Sequence, residues 1–222
     1  ADLILVNGAG YAKWRKTASL PNSRLVDTSR SFKADYITVE DTGAHTHGPG
    51  GEHSHAGTAF TTWLDFRQAA QQALAVTEAL SRLLPDRRSV FEQRYGVLER
   101  DLLFLDDGLD SIAARLGAQP LLASHPVYQY MARRYGLNIR SVLWEPEVAP
   151  QEAEWQELTS LLHSHPAGWM LWEGEPLAAS VDRLQSLGLR SLVFDPCGNR
   201  PEDGDFLAVM RRNVDRLRQA LQ

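Results

Sequence analysis

The sequence predicts an α/β protein built as two α/β lobes with parallel sheets, joined by one long spine helix. Three observations predict it. After Gly117, short apolar runs alternate with stretches of helical period, the pattern of β-α units and therefore of a parallel sheet with helices on its faces. Before that, Leu98, Leu102, Leu105, Leu109, Ile112 and Leu116 are spaced by four and three in turn, which marks one face of a long helix. A helix of ~27 residues is ~40 Å long, enough to serve as a spine. The first part of the chain is short strands and turns. These features divide the chain into an N-terminal lobe at 1–88, a spine helix at 89–117 and a C-terminal α/β lobe at 118–222.

Taken in order, Leu3–Val6 reads as a strand running into the turn Asn7-Gly8-Ala9-Gly10, with a short helix near Tyr11–Thr17 and a second strand at Leu25–Asp27. Residues 41–57 are Gly, His, Ser and Thr with almost nothing apolar, so they read as a mobile loop. One helix spans about Phe66 to Leu84 and stops near Pro85; the spine follows and stops at Gly117. In the C-terminal lobe, strands are expected at Leu121–Ala123, Ile139–Leu143, Gly168–Trp172 and Leu192–Phe194. The helices between and after them end near Tyr135, span Glu152–His163, carry Leu177 to Leu187, and carry Phe206 to Leu221.

The net charge of −5 argues against a general nucleic-acid binder, which needs a basic face. No apolar run approaches ~18 residues, so no membrane insertion is expected. Cys197 is the one cysteine, which excludes an internal disulfide and a Cys-rich zinc site; any metal site must use His and carboxylate. No Gly-x-Ser-x-Gly, His-Glu-x-x-His, Cys-x-x-Cys or complete dinucleotide-binding glycine pattern is present.

Two residues stand out by position. His125 lies just past the expected Leu121–Ala123 strand, and Asp195 just past Leu192–Phe194. Ligands of open α/β sheets collect beyond the carboxyl ends of the strands, and imidazole with carboxylate suits zinc. A helix-capping or turn role fits both residues equally. The loop adds His45, His47, His53 and His55, two His-x-His pairs separated by a Gly-Pro-Gly-Gly stretch, a composition that reads as metal binding with little preorganisation. Glu145, Glu147, Glu173 and Glu175 fall on the same crevice side, as outer acceptors for a ligating histidine or as a solvated rim. His163 and His165 read as structural at a helix end. Cys197 reads as a buried inert thiol. Trp63, Trp144, Trp169 and Trp172 read as core or crevice walls.

These residues resemble, in order along nearly the whole chain, the cluster A-I metal-binding proteins, the TroA-like zinc and manganese receptors of bacterial ABC importers. Ala1-Asp2-Leu3 through Asn7-Gly8 looks like the family's "ADL…NG" strand, and residues 41–57 look like the His-rich loop of its zinc-specific members. Thr62-Trp63-Leu64-Asp65 is similar to "xWLDP". Ser124-His125-Pro126 through Tyr135-Gly136-Leu137 is similar to "H-x-A-x-x-Y…YGL". Phe194-Asp195-Pro196 with Met210 to Val214 is similar to the closing Asp and last helix. The resemblance implies two lobes joined by a rigid helix, with the ion held by His125 and Asp195. Two departures stand out. Thr61 occupies the place of a usual ligand histidine, for which His53 or His55 could substitute. The family's segment before "ADL", with a further ligand histidine, has no counterpart here, so the N-terminal lobe is expected to be incomplete.

The expectation is therefore a monomeric periplasmic or extracytoplasmic receptor, not an enzyme, that binds Zn2+ and passes it to an ABC-importer permease. Mn2+ is the weaker alternative because it prefers oxygen ligands. A periplasmic zinc chaperone or buffer and a zinc-dependent hydrolase are the rival readings. The hydrolase reading requires an open metal position for water.

Overall fold

The computed structural model describes residues 1–39, 45–46, 52–53, 57–201 and 203–221. Two compact units are present, Ala1–Leu103 and Phe104–Gln222.

In the first unit, β1 (Ile4–Val6) and β2 (Leu25–Asp27) pair in parallel, Leu5 opposite Val26. The segment Tyr11–Thr17 holds a 3-10 turn at Lys13–Lys16 where a short helix is expected. Three further pieces of strand, too short and polar to read from sequence, follow: β3 (Thr38–Val39), β4 (His45–Thr46) and β5 (Glu52–His53). With β6 (Gly57–Thr58) they form two antiparallel pairs, β3 with β6 and β4 with β5. Helix α1 (Phe66–Leu83) starts where the Asp65 carboxylate accepts the N–H groups of Arg67 and Gln68, which satisfies donors a helix start leaves open. On its inner face, the Gln72 amide donates to Asn7 O, Asn7 Oδ1 and Thr28 Oγ1 at 3.1, 2.6 and 3.1 Å, tying α1 to the carboxyl ends of β1 and β2. Gly8 sits beside them at φ +78°, where an added Cβ would lie 1.7 Å from Ser29 Oγ. Both the backbone and the space there require glycine.

Helix α2 (Arg88–Leu116) passes through the division between the units. The second unit follows as β7 (Pro120–Ala123), α3 (Gln129–Tyr135), β8 (Asn138–Ser141), α4 (Glu152–Ser164), β9 (Trp169–Trp172), α5 (Ala178–Ser186), β10 (Arg190–Val193) and α6 (Phe206–Ala220). The strands form one parallel sheet in the order β10-β9-β7-β8. The sequence accounts for which strands are central and which are edges. Pro120-Leu121-Leu122-Ala123 and Trp169-Met170-Leu171-Trp172 are continuous apolar runs and take the two central places, buried on both faces. Asn138-Ile139-Arg140-Ser141 and Arg190-Ser191-Leu192-Val193 carry polar residues and take the edges. Leu122, Trp144, Trp155, Leu158, Met170, Trp172, Leu184 and Leu189 form the core between sheet and helices.

Two helix starts in this unit are capped by side chains. Gln151 and Glu154 make a reciprocal capping box at the start of α4, and Asp205 caps α6 by accepting Ala208 N–H. Gly136 ends α3 in the left-handed conformation, φ +65°. The buried Asp106 of α2 holds Arg134 with two hydrogen bonds, at 3.0 and 2.6 Å, and accepts the Tyr135 hydroxyl at 3.0 Å. Such a pair fixes α3 against α2 through charge-assisted, bidentate geometry.

Candidate metal centre

The chain passes from β7 to β8 on one side and then crosses to β9 on the other. That reversal opens a crevice between the carboxyl ends of β7 and β9, the place where open α/β sheets take ligands. The residues that leave those two strands are His125 and Glu173. After β7, Ser124 is still laddered to both neighbours: its N–H donates to Leu171 O at 2.8 Å and its carbonyl accepts Trp144 N–H at 2.7 Å. His125 then turns out of the sheet, with Val127 N–H donating back to His125 O at 2.9 Å.

His125 Nδ1 lies 3.9 Å from Glu145 Oε1 and 3.9 Å from Glu173 Oε1. One ligand atom from each of the three residues falls within 4.8 Å of the others, and among the described residues this is the group of histidine and carboxylate side chains arranged to hold a metal ion. A separation of 3.9 Å is too long for a hydrogen bond. Ligands of one tetrahedral ion at ~2.1 Å sit roughly 3.4 Å apart, so a small carboxylate rotation brings the group onto a cation.

The electrostatics also suit a cation. Burial is the main cause that pushes the Glu173 carboxyl up to about 7, and the carboxylates of Glu145, Glu147 and Asp195 add to it. Four acidic groups gathered in a half-buried place repel one another until a positive charge joins them. Tyr128, beneath them and 1% exposed, has its phenol held well above its ordinary value by burial and then by Glu173 and Asp195. It is a permanent donor, and its hydroxyl gives a hydrogen bond to Phe194 O at 2.7 Å.

Asp195 leaves β10 one residue after Phe194 N–H pairs with Trp172 O. Its Oδ1 accepts Cys197 N–H at 2.6 Å, and Cys197 adopts φ +55° to close that turn. Asp195 lies outside the three-residue group while contributing to the field on Glu173. Of the loop histidines, His45 and His53 stand opposite each other in the β4–β5 pair. His47 and His55 lie outside the described residues. Thr61 is buried in the first unit.

The remaining sequence candidates are accounted for locally. His165 is buried, its Nε2 in a hydrogen bond with Leu121 O at 2.8 Å; His163 bonds Thr159 O one helical turn earlier. Cys197 is half-buried rather than buried. Trp144 and Trp172 are core, 6.2 Å apart. Trp63 is buried in the first unit, and Trp169 stacks under the Arg190 guanidinium.

Sequence reasoning placed Glu145 and Glu173 on the crevice side and no closer. A signal that brings them in is Leu-Trp-Glu-x-Glu, which occurs at Leu143–Glu147 and again at Leu171–Glu175. Each copy ends a core run on a buried tryptophan and sends the next side chain out at the carboxyl edge. Asn213, whose amide bonds the Asp195 peptide, was also missed as a site residue.

A parallel sheet that gathers imidazole and carboxylates at its carboxyl edge defines an α/β protein with a candidate metal centre at the switch point of its sheet. The chain belongs to the family of the zinc-uptake complex component A, periplasmic, whose profile matches residues 1–220. It is 24% identical over 172 residues to the zinc-binding protein TroA of Treponema pallidum, an alignment covering 72% of this chain and 56% of that protein. The chain spans about half the length of the curated relatives it matches, 49% and 56% for two of them. Its fold is that of Zn(II)-bound AdcA from Streptococcus pneumoniae, with a TM-score of 0.78 at 18% identity over 100% of this chain and 47% of that one. It is equally that of the metal-dependent lipoprotein YcdH from Bacillus subtilis, with a TM-score of 0.79 at 19% identity over 100% and 80%.

Proposed function

We propose that this protein is the extracytoplasmic zinc receptor of an ABC-type importer, capturing Zn2+ as cargo and delivering it to a permease. The observation that carries this reading is the convergence of His125, Glu145 and Glu173 at the switch point of the parallel sheet. In this reading His125 and Asp195 are ligands, Glu173 or Glu145 supplies a further carboxylate, and His45, His47, His53 and His55 form an auxiliary capture segment. Imidazole favours zinc over manganese, whereas the carboxylates suit both. The names of the zinc-binding relative TroA and of Zn(II)-bound AdcA support the zinc assignment. A full set of protein ligands would leave no open position for water, which suits carriage rather than catalysis.

The test is zinc uptake under chelator limitation. A strain lacking the protein should lose high-affinity accumulation, the wild-type gene should restore it, and His125→Ala should not. Full restoration by His125→Ala would remove that residue from the transport site. Normal uptake without the protein would favour a zinc buffer over an importer receptor.

A further inference from the structure

β10 runs out of ladder partners before it reaches the site. Its paired register ends at Val193 opposite Trp172, and Phe194 N–H makes the last bond to that neighbour. The peptide groups of Asp195 therefore need partners from elsewhere, since buried backbone polar groups are costly when unpaired. Both come from one side chain. The Asn213 Oδ1 accepts Asp195 N–H at 3.2 Å, and Asn213 Nδ2 donates to Asp195 O at 2.7 Å. Asn213 lies on the inner face of α6 and is 1% exposed. A carboxamide presents one acceptor and one donor side by side, so it can stand in for a neighbouring strand at this single residue. An ionised carboxylate, which has no donor, cannot reproduce the pair of bonds.

The rest of Asp195 is fixed from that anchor. With its N–H and C=O held, the Cα–Cβ direction is set. Cys197 N–H then holds Oδ1, which fixes the rotation of the carboxylate. We propose that Asn213 is a positioning residue for metal binding: it holds the Asp195 backbone so that the carboxylate meets the ion in a preorganised direction, without itself touching the ion. The inference rests on the reading of Asp195 as a ligand. Its logic is that of other groups that orient metal ligands, whose loss weakens affinity by roughly 10–100-fold.

A double-mutant cycle tests it, with Zn2+ affinity of the metal-stripped chain read by competition with a chelating dye and folding checked by circular dichroism. Asp195→Asn should weaken binding by more than tenfold, and Asn213→Leu by about tenfold. The double variant should be no weaker than Asp195→Asn alone, because Asn213 acts only through Asp195. If Asn213→Leu does not fold, Asn213→Ser, which keeps one bonding group, runs the same cycle. A full effect of Asp195→Asn with Asn213 variants within twofold of wild type would overturn the inference and leave the ligand reading standing. Multiplying effects in the double variant would also overturn it, because Asn213 would then act independently of Asp195. No effect of Asp195→Asn would overturn both, by removing Asp195 from the site.

Discussion

The Tyr128 hydroxyl donates to the Phe194 carbonyl at 2.7 Å and so ties the turn that carries His125 to the strand end that carries Asp195. Tyr128 is the residue just before α3 and is three positions after His125. Its ring packs edge-on against Phe194 at 5.9 Å. Two strand ends that are not neighbours in the sheet are thereby held by a single buried side chain.

Replacing Tyr128 with Phe keeps the ring and leaves the Phe194 carbonyl without this donor. Loss of a buried hydrogen bond of this kind costs about 1–2 kcal/mol. Thermal unfolding of the metal-free protein should show that loss, and zinc should dissociate faster than from wild type. Unchanged unfolding and release would mean that ring packing alone holds the two turns.

Glu173 makes the metal-free protein sensitive to pH. Its carboxyl is raised from the ordinary 4.5 to about 7 in the folded state, so between those values the folded state binds more protons than the unfolded chain. Stability is therefore lost as pH rises through that window and is restored below it. Glu173→Gln should remove the effect, stabilising the metal-free protein at pH 8 by on the order of 2–3 kcal/mol, or roughly 5–10 °C in Tm, with little change at pH 4.5. The same proton competes with the cation, so zinc affinity should fall as pH drops below about 7. Equal melting shifts at both pH values would contradict this.

Deleting Ala44–Ala56 removes the histidine-rich segment together with the β4–β5 pair. Zinc stoichiometry should fall while the tightest binding event persists. Loss of the tight event instead would show that a segment histidine, His53 or His55 among them, completes the principal site.

The second unit was legible in the sequence because its central strands are unbroken apolar runs bounded by Gly and Pro, and its helices keep one apolar face. Each expected strand overlaps an observed one with ends shifted by at most two residues, as at Ile139–Leu143 against Asn138–Ser141. β3 to β6 were not legible, since two-residue polar strands carry neither alternation nor a hydrophobic run. Of the site candidates, His125 and Asp195 could be placed just past strand ends because a strand's carboxyl end is visible in sequence. Asn213 could not, because its partner is a peptide group 18 residues earlier rather than a side chain. The approach of Glu145 and Glu173 to His125 depends on the strand order β10-β9-β7-β8, which local pattern does not determine.

The most direct test of the central claim is calorimetric titration of the metal-stripped chain with Zn2+, wild type beside His125→Ala, with Mn2+ as the comparison. One tight zinc event, weakened far more than tenfold by His125→Ala and accompanied by weaker events from the histidine-rich segment, is the predicted result. Only weak, multiple binding that His125→Ala leaves unchanged would contradict a metal centre at the carboxyl edge of this sheet.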